Sequence, residues 1–366
     1  MAPATITALE CLVVADDLTG AFDAVAPFAA RGWETTVLLP GGAHAGNSRV
    51  LAVSTESREA TPEEVRDVMR NAAHRYLVDA GAVVFKKIDS TLRCNTGLEI
   101  AAAMEAFGCR AAIVCPAFPA MDRVVHQGYL KVAGAPDFAP IPLVRRVSCV
   151  HVPHSEVRSA ILHGERYISV DAVCNEDLDR IAAEILPLDG PILWAGSAGL
   201  AAALARLKGG SVADISRPRP CGPVLFCIGS DHAVTLAQEN ALMARGRTVR
   251  MQLDGEGESI AGALARSEHV LLRIPRNGVA PEAIRKRLAG AAPAALMLSG
   301  GDTASALCRA IGAQSIRLCD ELVPGIPLGI LRGGPFDGGL VVTKPGGFGK
   351  SDALIHIADY FSCPNL

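Results

Sequence analysis

Two segments in the first half of this 366-residue chain carry groups suited to a small polar acid. Asp16 and Asp17 stand side by side directly after the apolar run 11–15. Adjacent carboxylates there could take a hydroxyl proton or hydrogen-bond a polyol. The plainer alternative is that one caps the following helix and the other is solvated. The segment Lys86-Lys87-Ile88-Asp89-Ser90-Thr91-Leu92-Arg93 packs cations, a carboxylate and two hydroxyls into eight residues. Lys87 and Asp89 are candidate substrate contacts. Arg93 could grip a carboxylate through two parallel bonds, a geometry lysine cannot copy. Arg123, just past Phe118-Pro119, is a second arginine candidate. A solvated charged loop would have a similar composition, but the run before Lys86 is strongly apolar.

The second half has anion-binding chemistry. Ser299-Gly300-Gly301-Asp302-Thr303 combines two glycines, a carboxylate that could help hold Mg²⁺ and a hydroxyl at a helix start. Glycine lets the backbone approach a phosphate, and a helix start presents unpaired N–H groups. An ordinary helix cap would read the same way. Gly346-Gly347-Phe348-Gly349-Lys350-Ser351 resembles part of a P-loop, but the Walker pattern needs glycine where Lys344 stands. It is then a glycine loop with Lys344 and Lys350 nearby to attract phosphate. Gly229-Ser230 is a further strand-end turn. No G-x-G-x-x-G follows a strand-like run, which argues against a dinucleotide oxidoreductase.

These turns need elements to position them, and the pattern supplies them. Short apolar runs alternate with alanine-rich helical stretches, as at 11–15 and 21–31, 192–195 and 200–207, and 295–298 and 304–311. That alternation predicts an α/β fold with mainly parallel sheets, whose strands are buried on both faces. Ser216-Arg217-Pro218-Arg219-Pro220 can continue neither a helix nor a central strand. It divides the chain into a domain over 1–215 and another over 221–366.

The 35 Lys+Arg against 38 Asp+Glu, for a net charge of −3, argue against nucleic acid or an anionic membrane surface as partner. Mean hydropathy is +0.28, yet no apolar run approaches the ~20 residues of a spanning helix. The N-terminus has no basic region of a signal peptide. The 11 cysteines include no C-x-x-C pair and read as reduced, buried residues of a cytoplasmic protein. His151 and His154 are the one close histidine pair, and Pro153 between them argues against a helical metal site. Alanine-rich helical faces leave a homodimer open, though core packing would use the same faces.

Seven short blocks in order resemble the four-carbon acid sugar kinases. They are Ala15-Asp16-Asp17-Leu18-Thr19-Gly20-Ala21, the 86–93 segment, Pro116-Ala117-Phe118-Pro119, Gly300-Gly301-Asp302-Thr303, Pro324-Gly325-Ile326-Pro327-Leu328-Gly329, Gly333-Gly334-Pro335-Phe336-Asp337-Gly338 and Lys344-Pro345-Gly346-Gly347-Phe348-Gly349. The resemblance implies an acid-sugar-binding N-terminal domain, a nucleotide-binding C-terminal domain and an active site in the interdomain cleft. It implies ATP and Mg²⁺, and phosphorylation of an acid such as threonate, erythronate, 3-oxo-tetronate or a branched relative. It assigns ATP to Ser230, Gly300, Gly301, Asp302, Thr303, Gly346 and Gly347. It assigns the acid to Asp16, Asp17, Arg93 and Arg123; the candidate acid site taken together is Asp16, Asp17, Lys87, Asp89, Arg93 and Arg123, with Asp17 or Asp16 as the expected base. Departures at Cys94 and at Asp122-Arg123-Val124-Val125 fall in the presumed acid-sugar pocket and leave the particular acid open, and Asp231-His232 after Gly229-Ser230 is a third departure. The competing expectation is a non-catalytic nucleotide or sugar-acid sensor of the same fold.

Overall fold

A computed structural model describes residues 9–42, 48–76, 78, 81–93, 95–134, 137–209, 218, 220–255, 258–275, 279–323 and 325–362. Cys94, Pro324, the first eight residues and Ser216, Arg217 and Arg219 of the expected linker lie outside the described residues. The chain divides into two compact units. One comprises Met1–Thr35 and Gly46–Ala213, the other Thr36–Ala45 and Asp214–Leu366.

In chain order the first elements are β1 (Cys11–Ala15), α1 (Leu18–Ala29), β2 (Thr35–Leu38), β3 (Val50–Ser54), α2 (Pro62–Arg75), β4 (Val83–Lys87), α3 (Thr96–Ala106) and β5 (Ala111–Cys115). There follow β6 (Arg123–His126), β7 (Tyr129–Val132), β8 (Ile141–Pro142), α4 (Leu143–Val147), β9 (Val150–Val152), α5 (Val157–Leu162), β10 (Tyr167–Val170), α6 (Asn175–Ile185), β11 (Ile192–Gly196) and α7 (Ala198–Leu207). The first unit's sheet runs β3-β1-β4-β11-β5-β10-β9, and every pairing in it is parallel. A small antiparallel sheet, β6-β7-β8, is added to it. Leu12, Val13 and Val14 are all buried, as a strand covered on both faces requires. The helices α1 and α7 pack on each other inside this unit. Their alanines therefore serve close core packing.

The second unit holds β12 (Val224–Ile228), α8 (Ala233–Ala244), β13 (Thr248–Gln252), α9 (Ile260–Ala265), β14 (His269–Arg273), α10 (Pro281–Leu288), β15 (Ala295–Ser299) and α11 (Gly301–Ala310). It ends with β16 (Ser315–Val323), β17 (Ile326–Arg332), β18 (Leu340–Lys344) and α12 (Ala353–Phe361). Strands β13-β14-β12-β15-β18 are parallel, followed by antiparallel β17, β16 and β2. Strand β2, early in the chain, thus completes the later unit's sheet. Val224, Phe226 and Ile228 share one buried cluster with Leu354, Ile357 and Phe361 of α12. Among the described residues no helix is long and apolar enough to cross a membrane.

Candidate functional site

In the first unit the chain passes from β1 to β3 on one side, then to β4 on the other. Ligands of open parallel sheets bind at such switch points, beyond the carboxyl ends of the strands. Asp16 and Asp17 leave β1 there, Ser57 and Arg58 follow β3, and residues 88–93 follow β4.

Asp17 is the N-cap of α1. One carboxylate oxygen accepts from the Gly20 amide at 2.8 Å and the other from Thr19 Oγ1 at 2.7 Å. The capping alternative is therefore realised, while Asp17 stays within reach of the cluster. Asp16 Oδ2 accepts from Arg58 Nε at 2.9 Å, and Arg58 Nη2 lies 3.3 Å from Asp17 Oδ1. Asp16 Oδ1 is buried and has no hydrogen-bond partner among the described residues. Burial opposes ionisation of Asp16, but Lys86, Arg58 and Lys87 outweigh it and hold the carboxyl below its ordinary range. Burial likewise opposes the charge on Arg58, and Asp17 and Asp16 overcome it.

Consecutive strand residues face opposite sides of a sheet, so Lys86 and Lys87 diverge. Lys86 is fully buried, 3.4 Å from Glu99 of α3, and donates to the Lys87 carbonyl at 2.9 Å. Glu99 also accepts from Ser57 Oγ, the neighbour of Arg58. Lys87 donates to the Ile88 carbonyl at 3.0 Å and acts electrostatically on Asp16 and on Asp23 of α1. Burial pushes Asp23 up to about 6, and Asp17 adds to the effect while Lys87 and Arg123 oppose it.

Asp89 organises the turn after β4. It accepts from Thr91 Oγ1 at 2.6 Å, from the Arg93 amide at 3.1 Å, and from Arg93 Nε and Nη2 at 2.7 and 2.8 Å. Burial disfavours its charge, but the bonds from Arg93 and Thr91 prevail and keep it well below the usual carboxylate range. The turn requires φ of 54° at Leu92, a buried non-glycine residue. Such a conformation costs of order 1–3 kcal/mol and concentrates at functional loops. The Arg93 side chain is 64% exposed even though Nε and Nη2 of its guanidinium are held by the buried Asp89. Arg123 is half-buried and within electrostatic range of Asp89, Asp23 and Arg93.

The first unit thus brings Asp16, Asp17, Lys87, Asp89, Arg93 and Arg123 into one charged cluster. Sequence reasoning missed Arg58, Asp23 and the Lys86–Glu99 pair. The strand-end logic applied to Asp16-Asp17 would have found Arg58, because Ser57-Arg58 also closely follows an apolar run. His151 is engaged elsewhere, with Ser169 Oγ at 3.1 Å and Asp171 at 3.2 Å.

In the second unit the chain runs from β12 to β13 and β14 on one side, then to β15 on the other, with β18 beyond. The Gly229-Ser230, Gly300–Thr303 and Gly346-Gly347 turns therefore gather at one switch point. Gly300 has φ of 101° and leads into α11 without a side-chain cap. Its helix start therefore keeps backbone donors for another partner. A Cβ at Gly229 would lie 1.9 Å from Thr303 Oγ1, and one at Gly346 would lie 2.2 Å from Ser230 Oγ. These backbones touch the neighbouring hydroxyls, which only glycine allows. Ser230 and Thr303 are buried, and Asp302 is exposed on the first turn of α11.

Lys344 corrects the expectation of a phosphate-attracting cation. It is fully buried, and its ammonium donates inward to the carbonyls of Pro345, Gly346 and Phe348 at 2.9, 3.2 and 3.3 Å. Burial lowers it to about 8.

Fold and clusters define a two-unit α/β protein, with a charged polar-ligand cluster in one unit and a glycine-lined anion cradle in the other. Residues 11–141 and 143–204 match the model of a sugar-binding N-terminal domain, and residues 280–354 that of a nucleotide-binding C-terminal domain. The chain is 33% identical over 395 residues to a D-threonate kinase of Bordetella bronchiseptica, covering 94% of this chain and 96% of the relative. It is 31% identical to a D-threonate kinase of Cupriavidus necator, covering 95% and 97%. Other relatives are named D-erythronate kinase and 3-oxo-tetronate kinase. The solved Haemophilus influenzae protein HI1011 shares the fold, with a TM-score of 0.72 at 20% identity, covering 96% of this chain and all of that one. The chain belongs to the four-carbon acid sugar kinase family.

Proposed function

We propose that this protein transfers the γ-phosphoryl group of ATP to a hydroxyl of a small, about four-carbon, sugar acid. The supporting observation is the pairing of Asp16 and Asp17 with Arg58 at the β1 end, beside the exposed Arg93. Carboxylates can orient a polyol, and an accessible guanidinium can bind the acid's carboxylate.

In this reading Arg93 and Arg123 hold the substrate carboxylate, and Lys87 and Asp89 shape the pocket around it. Asp17, with its side chain 19% exposed against 3% for Asp16, reaches the attacking hydroxyl. Asp16, pinned by Arg58, positions it. The hydroxyl oxygen bonds to the γ-phosphorus, the bond to the β–γ bridging oxygen breaks, ADP departs and the hydroxyl proton passes to Asp17. Phosphoryl transfer depends mainly on positioning and charge neutralisation, which fits a site without a strong nucleophile of its own.

Ser230, Gly300, Gly301, Thr303, Gly346 and Gly347 are assigned to the phosphates. Mg²⁺ takes most of its oxygens from phosphate and water and needs only one or two carboxylates. The exposed Asp302 beside the glycine turn fits that donor set and would hold the ion, which would neutralise phosphate charge. Cys11, Cys109, Cys115, Cys149, Cys174, Cys227, Cys308 and Cys319 are free thiols, and with the need for ATP this supports a cytoplasmic location.

The test is ADP release across a panel holding D-threonate, D-erythronate, 3-oxo-tetronate and branched C4 acids. Acid-dependent release from at least one is expected. None from any, with folded protein, refutes the reading.

A further inference from the structure

We propose that Lys344, Thr235 and Gln238 form a buried tripod that turns the glycine loop's carbonyls inward and its amides outward, making the loop a backbone cradle for a nucleotide's phosphates. The inference rests on the nucleotide reading of this unit, and deepens it by assigning the phosphate contacts to main-chain N–H groups rather than to a lysine charge.

All three side chains are fully buried. They come from two elements, the end of β18 and the first turns of α8. Besides the three Lys344 bonds, Thr235 Oγ1 donates to the Gly346 carbonyl at 2.6 Å. Gln238 Nε2 donates to the carbonyls of Phe348, Gly349 and Lys350 at 3.0, 3.1 and 2.8 Å. Five carbonyls of one short loop are thus held from the protein side. In a trans peptide the N–H points opposite the preceding C=O, and the described chain has no cis bond. The amides of Gly346, Gly347, Gly349, Lys350 and Ser351 therefore point away from the tripod. None of the five donates to a partner among the described residues. Phe348 fits the same logic in reverse. The carbonyl before it, that of Gly347, is not held by the tripod, and its own amide turns back to Pro345 at 3.1 Å. Gly347 and Lys350 are exposed, so the outward side is accessible. Successive outward amides make a concave patch of positive potential that suits a phosphate.

The test uses the full chain, with ADP as probe. Binding is measured by calorimetry and by amide shifts in ¹⁵N-labelled protein, for wild type and for Lys344→Met, Thr235→Val and Gln238→Met. The expected result is that ADP shifts the five loop amides most. Each folded variant should lose tenfold or more in ADP affinity while its KM for the acid is unchanged. Normal ADP binding by folded Thr235→Val and Gln238→Met, with only Lys344→Met impaired, overturns the tripod in favour of a direct lysine contact. ADP binding without shifts at the loop amides also overturns it, and that measurement decides even where a variant fails to fold. Wild type that does not bind ADP refutes the nucleotide reading itself.

Discussion

The buried pair Lys86–Glu99 ties β4 to α3 and, through Ser57, to the segment carrying Arg58. At 3.4 Å separation and an effective dielectric constant of about 20, the attraction is about 5 kcal/mol before desolvation is counted. Both side chains are essentially inaccessible, at 0% and 3% exposure, so removing one partner strands a charge in the interior. Lys86→Met and Glu99→Gln should each destabilise the first unit by about 3–5 kcal/mol. The double variant should lose less than the sum, with a coupling of about 2 kcal/mol or more. Urea unfolding at pH 7, followed by tryptophan fluorescence, isolates the relevant unit. The chain has 2 tryptophans, Trp33 and Trp194, and both lie in that unit. Additivity within about 0.5 kcal/mol would show the two groups to be independent. The pair would then be no brace for the Arg58 segment.

Arg93 Nε and Nη2 are engaged with Asp89, so Arg93→Ala removes positive charge from the acid pocket rather than a two-bond grip, and KM for the acid should rise about 10-fold with ATP affinity unchanged; a loss of ATP affinity instead refutes the division of labour. The Asp23 carboxyl, raised to about 6 from an ordinary 3.8, contributes stability that is complete below pH 3.8 and lost as pH rises through 6. Asp23→Asn should therefore be more stable than wild type at pH 7.5, by up to about 3 kcal/mol, with the gap closing near pH 4. Urea midpoints at the two pH values check it, and an equal gap at both refutes it. Gly229→Ala would force a Cβ to within 1.9 Å of Thr303 Oγ1, so it should weaken ADP binding tenfold or more while sparing acid binding. Unchanged affinity by calorimetry would show that the close approach at Gly229 is not what shapes the cradle.

The α/β class was legible in sequence because buried parallel strands must be continuous apolar runs, and 11–15, 111–115 and 224–228 are such runs. Candidate residues at strand ends were legible for a related reason. A polar or glycine-rich break after such a run falls at the strands' carboxyl ends, where an open sheet binds ligands. Orientation was not legible. Lys344 reads as a cation beside a glycine loop, and only the packing of α8 against that loop turns its ammonium inward. The position of Arg58 just past an apolar run marks it as a strand-end residue, but its partners were hidden, because Asp16 and Asp17 are 42 and 41 positions away, joined to it by the parallel pairing of β1 with β3. The antiparallel joining of β2 to β16 was equally hidden, since strand partners distant in sequence are chosen by tertiary packing rather than by local pattern. Sequence determined which residue types stand at the strand ends; the fold alone decided which of them face one another and which charges are buried, because those depend on contacts between segments far apart in the chain.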